Sequence, residues 1–171
     1  YPVKDGNGRG RAALWVPVTV TERNSLEMYD LINSGDGAVG IIKADGKRDF
    51  NFTSTNRGEV LEIGDIVKRR LADGDLVIMN RQPSLHKRSM MAHRVKLLPG
   101  KTFRINLAAV SPYNMDFDGD EANMHLVQDE QSRAEAKELM SVGACLLNPK
   151  DGSSTFAVIQ DSLLGAYILT T

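Results

Sequence analysis

Three aspartates at alternate positions, Asp116, Asp118 and Asp120, are the residues whose types and spacing most directly indicate chemistry. In an extended segment alternate side chains share a face, so the three carboxylates can point to one side while Phe117 points to the other and anchors the loop in the core. Gly119 tolerates positive φ and can bend the chain so that the carboxylates converge. Three such charges repel one another, and a hard divalent cation neutralises them, with Mg²⁺ as the natural candidate.

The acidic cluster is also compatible with a solvated loop, and it can be compared with a calcium-binding loop. Asp-rich turns are common, and many are solvated loops that bind nothing, so this alternative stays open. An EF-hand calcium loop requires Gly at its sixth position and Glu at its twelfth, where this sequence has Glu121 and Val127. A calcium-stabilised structural domain is therefore disfavoured, and it would prefer Ca²⁺ to Mg²⁺.

A polar strip at residues 80–87 precedes the cluster. Arg81 could hold phosphates or sugar hydroxyls through its planar fork, and Lys87 could do so as a point charge. In the structural alternative, which is more common for such residues, Arg81 pairs with a carboxylate and His86 caps a turn. The strip alone is therefore a weak signal. The other two histidines, His93 and His125, are expected to be structural.

Composition and charge place this chain among globular proteins with a localised site. Its 171 residues are 42% hydrophobic and 25% charged, which suits one moderate core and excludes disorder, collagen and coiled coil. The formal net charge of -1 hides an asymmetry. Residues 68–104 carry ten basic side chains against two acidic ones, and residues 111–138 carry eight acidic against two basic. Adjacent blocks of opposite sign indicate a site rather than a uniformly solvated surface.

Cysteine usage and hydropathy bound the setting of the protein. Cys145 is the single cysteine, so an internal disulfide and a cysteine-based zinc site are excluded, which fits a reducing intracellular compartment, nucleus or cytoplasm. No apolar run reaches the roughly 18 residues that span a bilayer, so no membrane partner is expected. The sequence opens with Tyr1 instead of methionine, and we expect a piece of a longer chain.

The first third of the sequence predicts a strand, a helix and a hairpin. Residues 12–20 are rich in β-branched types but contain a proline, which indicates an edge strand. A capping-box-like Asn24 opens a helix over 24–33, which Gly35 stops. The Asp45-Gly46 dipeptide suits a two-residue type I′ turn between two short strands.

Later segments predict a compact β-barrel followed by helices. Several short strands with Gly and Pro turns, and no long helices between them, favour a barrel over βαβ repeats. The strand-like segments lie near 60–67, 75–82, 91–98, 102–110 and 122–127. Helices are predicted over 129–140 and 160–169, with a strand near 155–159 between them.

The two motifs together resemble one known family. NRQPSLHKRSMMAHRV at 80–95, followed by TFRINLAAVSPYN and DFDGDEANMHL, resembles the catalytic region of the largest subunit of multisubunit DNA-directed RNA polymerase. The LHK and MMAHRV forms and the PYN before the aspartates are more similar to the eukaryotic, archaeal and large-DNA-virus branch than to the bacterial one. The resemblance runs from about 59 to 170, is looser over the helix-hairpin segment, and hardly includes 1–23.

This resemblance implies a mainly β fold, a double-psi β-barrel with a small helix-plus-hairpin insertion and C-terminal helices. The expected division is a strand segment of the barrel region at 1–23, a helix-hairpin insertion at 24–56, the barrel with its catalytic loop at 57–128, and a C-terminal helical segment at 129–171.

The resemblance also implies the roles of the site residues. The active-site Mg²⁺ would be held by Asp116, Asp118 and Asp120. Arg81 and Asn114 would contact the ribose hydroxyls of the incoming nucleotide, and Pro83 would shape that pocket. The family usually has Ala where this chain has Met115 and Met where it has Ala122, which suggests compensating repacking behind the loop.

The implied activity is Mg²⁺-dependent, template-directed transfer of nucleotides from nucleoside triphosphates to an RNA 3′-hydroxyl, with release of pyrophosphate. In the two-metal scheme one ion is held by this chain and a second enters with the triphosphate. The implied partners are the second-largest subunit, the other polymerase subunits, the DNA template and the nascent RNA, and the isolated fragment should be inactive. The alternative is a non-catalytic β-barrel scaffold or metal-stabilised binding module, which would be expected to lose at least one of the three aspartates.

Overall fold

The computed structural model describes residues 14–34, 37–52 and 60–171. The chain divides into two compact units, of which the first ends at Asp73 and the second begins at Gly74. Each unit contains one antiparallel sheet. Among the helices in these ranges, none combines the length and the apolar character needed to cross a membrane.

The first unit packs one helix, α1 (Ser25–Asn33), with a four-stranded sheet. The strands are β1 (Trp15–Thr19), β2 (Ala38–Ile42), β3 (Asp49–Asn51) and β4 (Ile66–Arg70), in the order β1-β4-β2-β3. The predicted edge strand is confirmed, since β1 pairs with β4 at one edge of the sheet. The core consists of apolar side chains from the helix, the strands and the β1–α1 connection: Val20, Met28, Ile32, Ala38, Ile41 and Val67.

The predicted helix over 24–33 is confirmed, but its first turn is not a capping box. The Asn24 side chain turns back to the preceding segment, where it accepts a hydrogen bond from Thr21 N at 2.7 Å and donates to Thr19 O at 3.0 Å. It makes no hydrogen bond to the amides of α1. Gly35, the predicted stop, lies outside the described residues.

The hairpin between β2 and β3 is confirmed, with a different turn. Gly46 N donates to Lys43 O at 2.8 Å, and Lys43 N donates to Arg48 O at 2.9 Å. The dipeptide Asp45-Gly46 therefore ends a turn that begins at Lys43, and the two-residue type I′ turn is wrong. Gly46 has φ +66, which glycine adopts without steric cost.

A buried ion pair explains why β4 starts later than predicted. The Asp65 carboxylate is fully buried and accepts hydrogen bonds from Lys43 Nζ at 2.9 Å, Ala44 N at 3.0 Å and Glu62 N at 3.0 Å. The bond from Glu62 closes a turn immediately before Asp65, so the strand begins at Ile66 instead of near residue 60. Burial alone would raise the pKa of Asp65, but these hydrogen bonds outweigh it, and the pKa lies below its ordinary value.

The second unit contains a three-stranded antiparallel sheet in the order β6-β5-β7. Its strands are β5 (Leu76–Asn80), β6 (Met90–Arg94) and β7 (Asn123–Leu126), which confirms three of the predicted strands. Its helices are α2 (Val110–Tyr113), α3 (Glu130–Leu139) and α4 (Asp161–Thr170), and the predicted helices over 129–140 and 160–169 are confirmed. Single 3₁₀ turns occur at Lys87–Ser89, Leu107–Ala109 and Gly143–Cys145.

Successive side chains of a β-strand point to opposite faces of the sheet. The side chains of β5 and β6 accordingly pack into two hydrophobic clusters. On one face Met79 packs with a cluster formed by Met91, Tyr113 and Cys145. On the other face Ala92 belongs to a second cluster, whose buried members also include Val127 and Ala136.

Two predicted strands are wrong. Residues 102–106 have no regular secondary structure, and 107–110 form a 3₁₀ turn and the start of α2. Asn106 Oδ1 accepts a hydrogen bond from Ala108 N at 2.9 Å and caps this turn. Pro112 fits α2 because it lies in the first helical turn, where its missing N–H has no partner to lose. Residues 155–159 form no strand, and the Ser154 hydroxyl donates to Phe156 O at 2.6 Å within the bend that starts there.

The strands form two separate antiparallel sheets, and across the described ranges they close no barrel. The fold is therefore a mixture of helices and antiparallel sheets. It does not by itself confirm the double-psi β-barrel that the resemblance implies.

Candidate metal centre

The acidic loop connects α2 to β7. It leaves the helix at Asn114, whose φ of 47° and ψ of 47° are left-handed, a conformation that asparagine tolerates at helix C-termini. It returns to the sheet at β7, where Asn123 lies opposite Asn80 of β5. Because β5 and β7 are antiparallel, Arg81, the residue after β5, is brought beside the residues that precede β7.

The three aspartates converge as predicted. Asp116, Asp118 and Asp120 each contribute one carboxylate oxygen to a group in which all three atoms lie within 4.8 Å of one another. Gly119 has φ +125, so the predicted bend at this glycine is confirmed. The loop is consequently curved and not extended.

The predicted anchor of the loop, Phe117, is wrong: this side chain is 67% exposed. Strict alternation of faces requires an extended chain, and here Asp116 N turns back to Asp120 Oδ2 at 3.3 Å. The residue that packs into the core is Met115, which lies against the cluster of Met91, Tyr113 and Cys145.

Arg81 is placed directly on the acidic loop. Its Nε donates to Asp120 Oδ2 at 2.6 Å, and its Nη1 donates to Tyr113 O at 3.4 Å. The side chains are only 18% and 16% exposed, so this pair is shielded from water. The alternative in which Arg81 pairs with a carboxylate is therefore what the structure contains. The hydrogen bonds from Arg81 Nε and from Asp116 N to the Asp120 carboxylate are both made to Oδ2.

The pKa shifts of the loop aspartates indicate which carboxylate is balanced by a positive charge. The hydrogen bond from Arg81 holds the pKa of Asp120 below its ordinary value. A hydrogen bond with Asp118, partial burial, and the negative charges of Asp118 and Asp120 raise the pKa of Asp116. One arginine thus offsets one of three carboxylates, and the remaining repulsion favours a cation.

The donor set fits a hard divalent ion. All three donors are carboxylate oxygens, which Mg²⁺ prefers, and no thiol or imidazole takes part. Mg²⁺ binds oxygen at about 2.1 Å, so two ligand oxygens lie at most about 4.2 Å apart. In octahedral geometry adjacent ligand oxygens lie about 3 Å apart, so from the 4.8 Å limit the carboxylate oxygens would approach one another by up to about 2 Å to bind such an ion.

The side chains of the other predicted residues are exposed. Asn114 and Pro83 are both exposed, Asn114 immediately before the aspartates and Pro83 two residues after Arg81. Lys87 begins a 3₁₀ turn and is exposed. The carbonyl of His86 accepts from Ser89 N at 3.0 Å, but its side chain does not cap that turn.

A cleft of about 260 Å³ lies beside Arg81, and the sequence reasoning missed most of its lining. The lining residues are Arg81, Gln82, Glu121 and Asn123. Gln82 and Glu121 are adjacent in sequence to predicted site residues, and this adjacency could have indicated that they line the cleft. The strand register that brings Asn123 opposite Asn80 was not visible in local patterns.

Comparisons with known proteins identify the family of this chain. Residues 11–142 match the family described as RNA polymerase Rpb1, domain 2. The match begins within the 1–23 segment for which the sequence motifs showed little resemblance, so the similarity extends further toward the N-terminus than those motifs indicated.

Individual relatives cover nearly all of the chain. It is 52% identical over 161 residues to DNA-directed RNA polymerase subunit Rpo1N of Methanothermobacter thermautotrophicus, covering 91% of this chain and 18% of the relative. It is 42% identical over 176 residues to Rpo1N of Thermoplasma acidophilum, covering 95% and 20% respectively. It is 44% identical over 164 residues to DNA-directed RNA polymerase III subunit rpc1 of Schizosaccharomyces pombe, covering 92% and 12%.

The chain spans a fifth or less of the length of these relatives. The family match covers more than half of its residues, and the relatives carry names that agree with this family. This chain belongs to the RNA polymerase Rpb1 domain 2 family, within the largest subunit of multisubunit DNA-directed RNA polymerase.

Proposed function

We propose that this chain holds the catalytic Mg²⁺ of a DNA-directed RNA polymerase. The reaction is template-directed transfer of nucleotides from nucleoside triphosphates to an RNA 3′-hydroxyl, with release of pyrophosphate. The observation that carries the proposal is the convergence of three carboxylate oxygens within 4.8 Å on one loop beside a shielded arginine.

Each site residue has a role in this proposal. Asp116, Asp118 and Asp120 hold the ion, which supplies positive charge that makes the RNA 3′-hydroxyl more acidic and stabilises charge on the reacting phosphate. Arg81 holds Asp120 through Nε and offers Nη2, which neither of its two hydrogen bonds uses, to the ribose of the nucleotide. Asn114 is exposed at the start of the loop and contacts the same sugar, while Pro83 shapes the wall of its pocket.

The remaining parts of the centre come from outside this chain. The second-largest subunit and other polymerase subunits, the DNA template, the nascent RNA and the triphosphates are partners in this proposal, and the isolated chain is inactive. The exposed basic side chains of the second unit suit the phosphate backbones of these ligands, and they include Lys87, Arg94, Lys96, Lys101 and Arg104. We also propose that the three-stranded sheet forms part of a double-psi β-barrel, and the four-part division at 23, 56 and 128 remains a prediction.

The test is RNA-primer extension by the assembled parent polymerase carrying Asp118→Asn. This change removes one charge from the loop and keeps the size of the side chain. The matched control is Asp30→Asn, an exposed aspartate on α1. We expect extension to be lost in Asp118→Asn, with template binding and subunit assembly retained, and to be unchanged in the control.

Unchanged extension in Asp118→Asn would contradict the catalytic proposal. It would leave the aspartates structural and favour the alternative, a non-catalytic scaffold or metal-stabilised binding module. A loop that binds Ca²⁺ in preference to Mg²⁺ would likewise favour a structural role.

A further inference from the structure

His93 and Tyr113 form a hydrogen-bonded pair behind the acidic loop. His93 Nε2 lies 2.7 Å from Tyr113 Oη, and the two rings stack with centroids 5.9 Å apart and planes at 29°. Tyr113 Oη also donates to Met79 O at 3.4 Å. Tyr113 is only 2% exposed, so its hydroxyl depends on partners inside the protein. These contacts attach one side chain to two neighbouring strands, β5 and β6.

Tyr113 occupies the point where the acidic loop begins. It is the last residue of α2, and the left-handed Asn114 follows it directly. Its carbonyl accepts the hydrogen bond from Arg81 Nη1, and Arg81 in turn holds Asp120. Tyr113 is therefore tied to the sheet through its ring and to the acidic loop through its backbone.

The two ends of the loop are held by different means. The end at β7 is fixed by the strand pairing of Asn123 with Asn80. The end at α2 has only a four-residue helix behind it, and so short a helix has few backbone hydrogen bonds of its own. The position of this end consequently depends on side-chain anchors, of which Tyr113 is the most deeply buried aromatic.

We propose that His93 and Tyr113 are positioning residues for the metal site, because their hydrogen bond fixes the end of α2 from which the three aspartates depart. The inference rests on the proposed function, since the loop that is positioned is the proposed Mg²⁺ site. Burial lowers the pKa of His93 and raises the pKa of Tyr113, so the bond joins two uncharged groups at neutral pH.

The test measures metal binding without requiring catalysis. In the assembled polymerase, Fe²⁺ with a reductant and peroxide generates hydroxyl radicals that cut the polypeptide next to the bound ion. The Mg²⁺ concentration that halves this localised cleavage reports the affinity of the site. The variants are Tyr113→Phe, which removes one oxygen atom and keeps the ring, and His93→Leu, which removes the imidazole. His93→Gln retains a polar group near the position of Nε2, and Tyr29→Phe, at an exposed tyrosine, is the matched control.

We expect Tyr113→Phe and His93→Leu each to raise the half-protecting Mg²⁺ concentration about fivefold, the scale of one lost hydrogen bond. The double variant should be no weaker than either single variant, because both remove the same bond. His93→Gln should stay near the wild type, and Tyr29→Phe should equal it. The KM for the triphosphate at saturating Mg²⁺ should not change. A general loss of structure would instead reduce the amount of assembled polymerase, and the half-protecting Mg²⁺ concentration of the complexes that do assemble would stay unchanged.

An unchanged midpoint in Tyr113→Phe and His93→Leu overturns the positioning role. If His93→Leu fails to assemble, Tyr113→Phe decides alone. In the same experiment Asp118→Asn should abolish the localised cleavage. If it does so while the Tyr113→Phe midpoint is unchanged, the positioning role fails and the proposed function stands. If cleavage at the loop persists in Asp118→Asn, the proposed metal site fails, and the positioning role fails with it.

Discussion

Arg81 and Asp120 are 39 residues apart in sequence and are joined by a hydrogen bond of 2.6 Å between Nε and Oδ2. The pair brings the polar strip after β5 onto the acidic loop before β7. Arg81 balances the negative charge of one of the three carboxylates and orients it. The polar strip and the acidic loop therefore form one cluster of charged side chains.

Arg81→Lys should impair the polymerase although the positive charge is kept. Lysine lacks the planar fork that reaches Asp120 and Tyr113 O together. Partners that orient a metal ligand typically contribute about 10- to 100-fold to metal affinity or activity, and we expect a loss of extension of about that size. Primer extension over a range of Mg²⁺ concentrations measures it. The matched control is Arg133→Lys on α3, whose ion-pair partner Glu130 is largely exposed. Equal activity of Arg81→Lys and this control would contradict the prediction.

Asp65→Asn should strongly destabilise the first unit. Lys43 would remain buried without its carboxylate partner, and breaking a buried ion pair in this way costs about 3–5 kcal/mol. Trp15 in β1 is the single tryptophan of the sequence, so its fluorescence during denaturant unfolding reports on this unit. Replacing both partners, as Lys43→Met with Asp65→Asn, should recover much of the loss, because no unpaired charge remains and the amide oxygen can still accept a hydrogen bond from a backbone N–H. A double variant as unstable as Asp65→Asn would show that the pair is not the cause.

The same pair predicts a dependence of stability on pH. The folded-state pKa of Asp65 lies below its ordinary value of 3.8, so the unfolded chain takes up the proton first as the pH falls. The contribution of Asp65 is therefore complete well above pH 3.8 and declines below it as the pH approaches the folded-state pKa. Unfolding free energies of the wild type and of Asp65→Asn, measured from neutral to acid pH, should converge at the acid end. A difference that stays constant over this range would refute the assignment.

Met115→Ala and Phe117→Ala should separate the anchor of the acidic loop from its exposed neighbour. Met115 packs against the core, and we expect its truncation to cost about 1–2 kcal/mol of unfolding free energy, less than for a fully buried methionine. Phe117 is largely exposed, so its truncation should change stability by less than about 0.5 kcal/mol. Hydrogen exchange of the amides in residues 110–127 measures both effects locally. A larger loss of protection in Phe117→Ala would reverse the assignment.

Local sequence patterns were sufficient for several parts of this protein. The alternate aspartates with Gly119 between the last two predicted a converging carboxylate cluster, and the cluster is present. Helices α1, α3 and α4 and strands β5, β6 and β7 were predicted because their signals, which are hydrophobic periodicity, residue composition and turn residues, act between neighbours in the chain. The family resemblance likewise depended on two contiguous motifs.

The tertiary structure decided which residues support that cluster. The pairs Arg81–Asp120, His93–Tyr113 and Lys43–Asp65 are 39, 20 and 22 residues apart, and each depends on strand register and on burial. The tertiary structure also decided that Met115, and not Phe117, anchors the acidic loop. The loop is curved, so its side chains do not alternate between two faces as they would in an extended chain. The types and order of the three acidic side chains follow from the sequence by itself. The arginine that balances one of their charges and the residues that anchor their loop follow from long-range packing, which no local pattern contains.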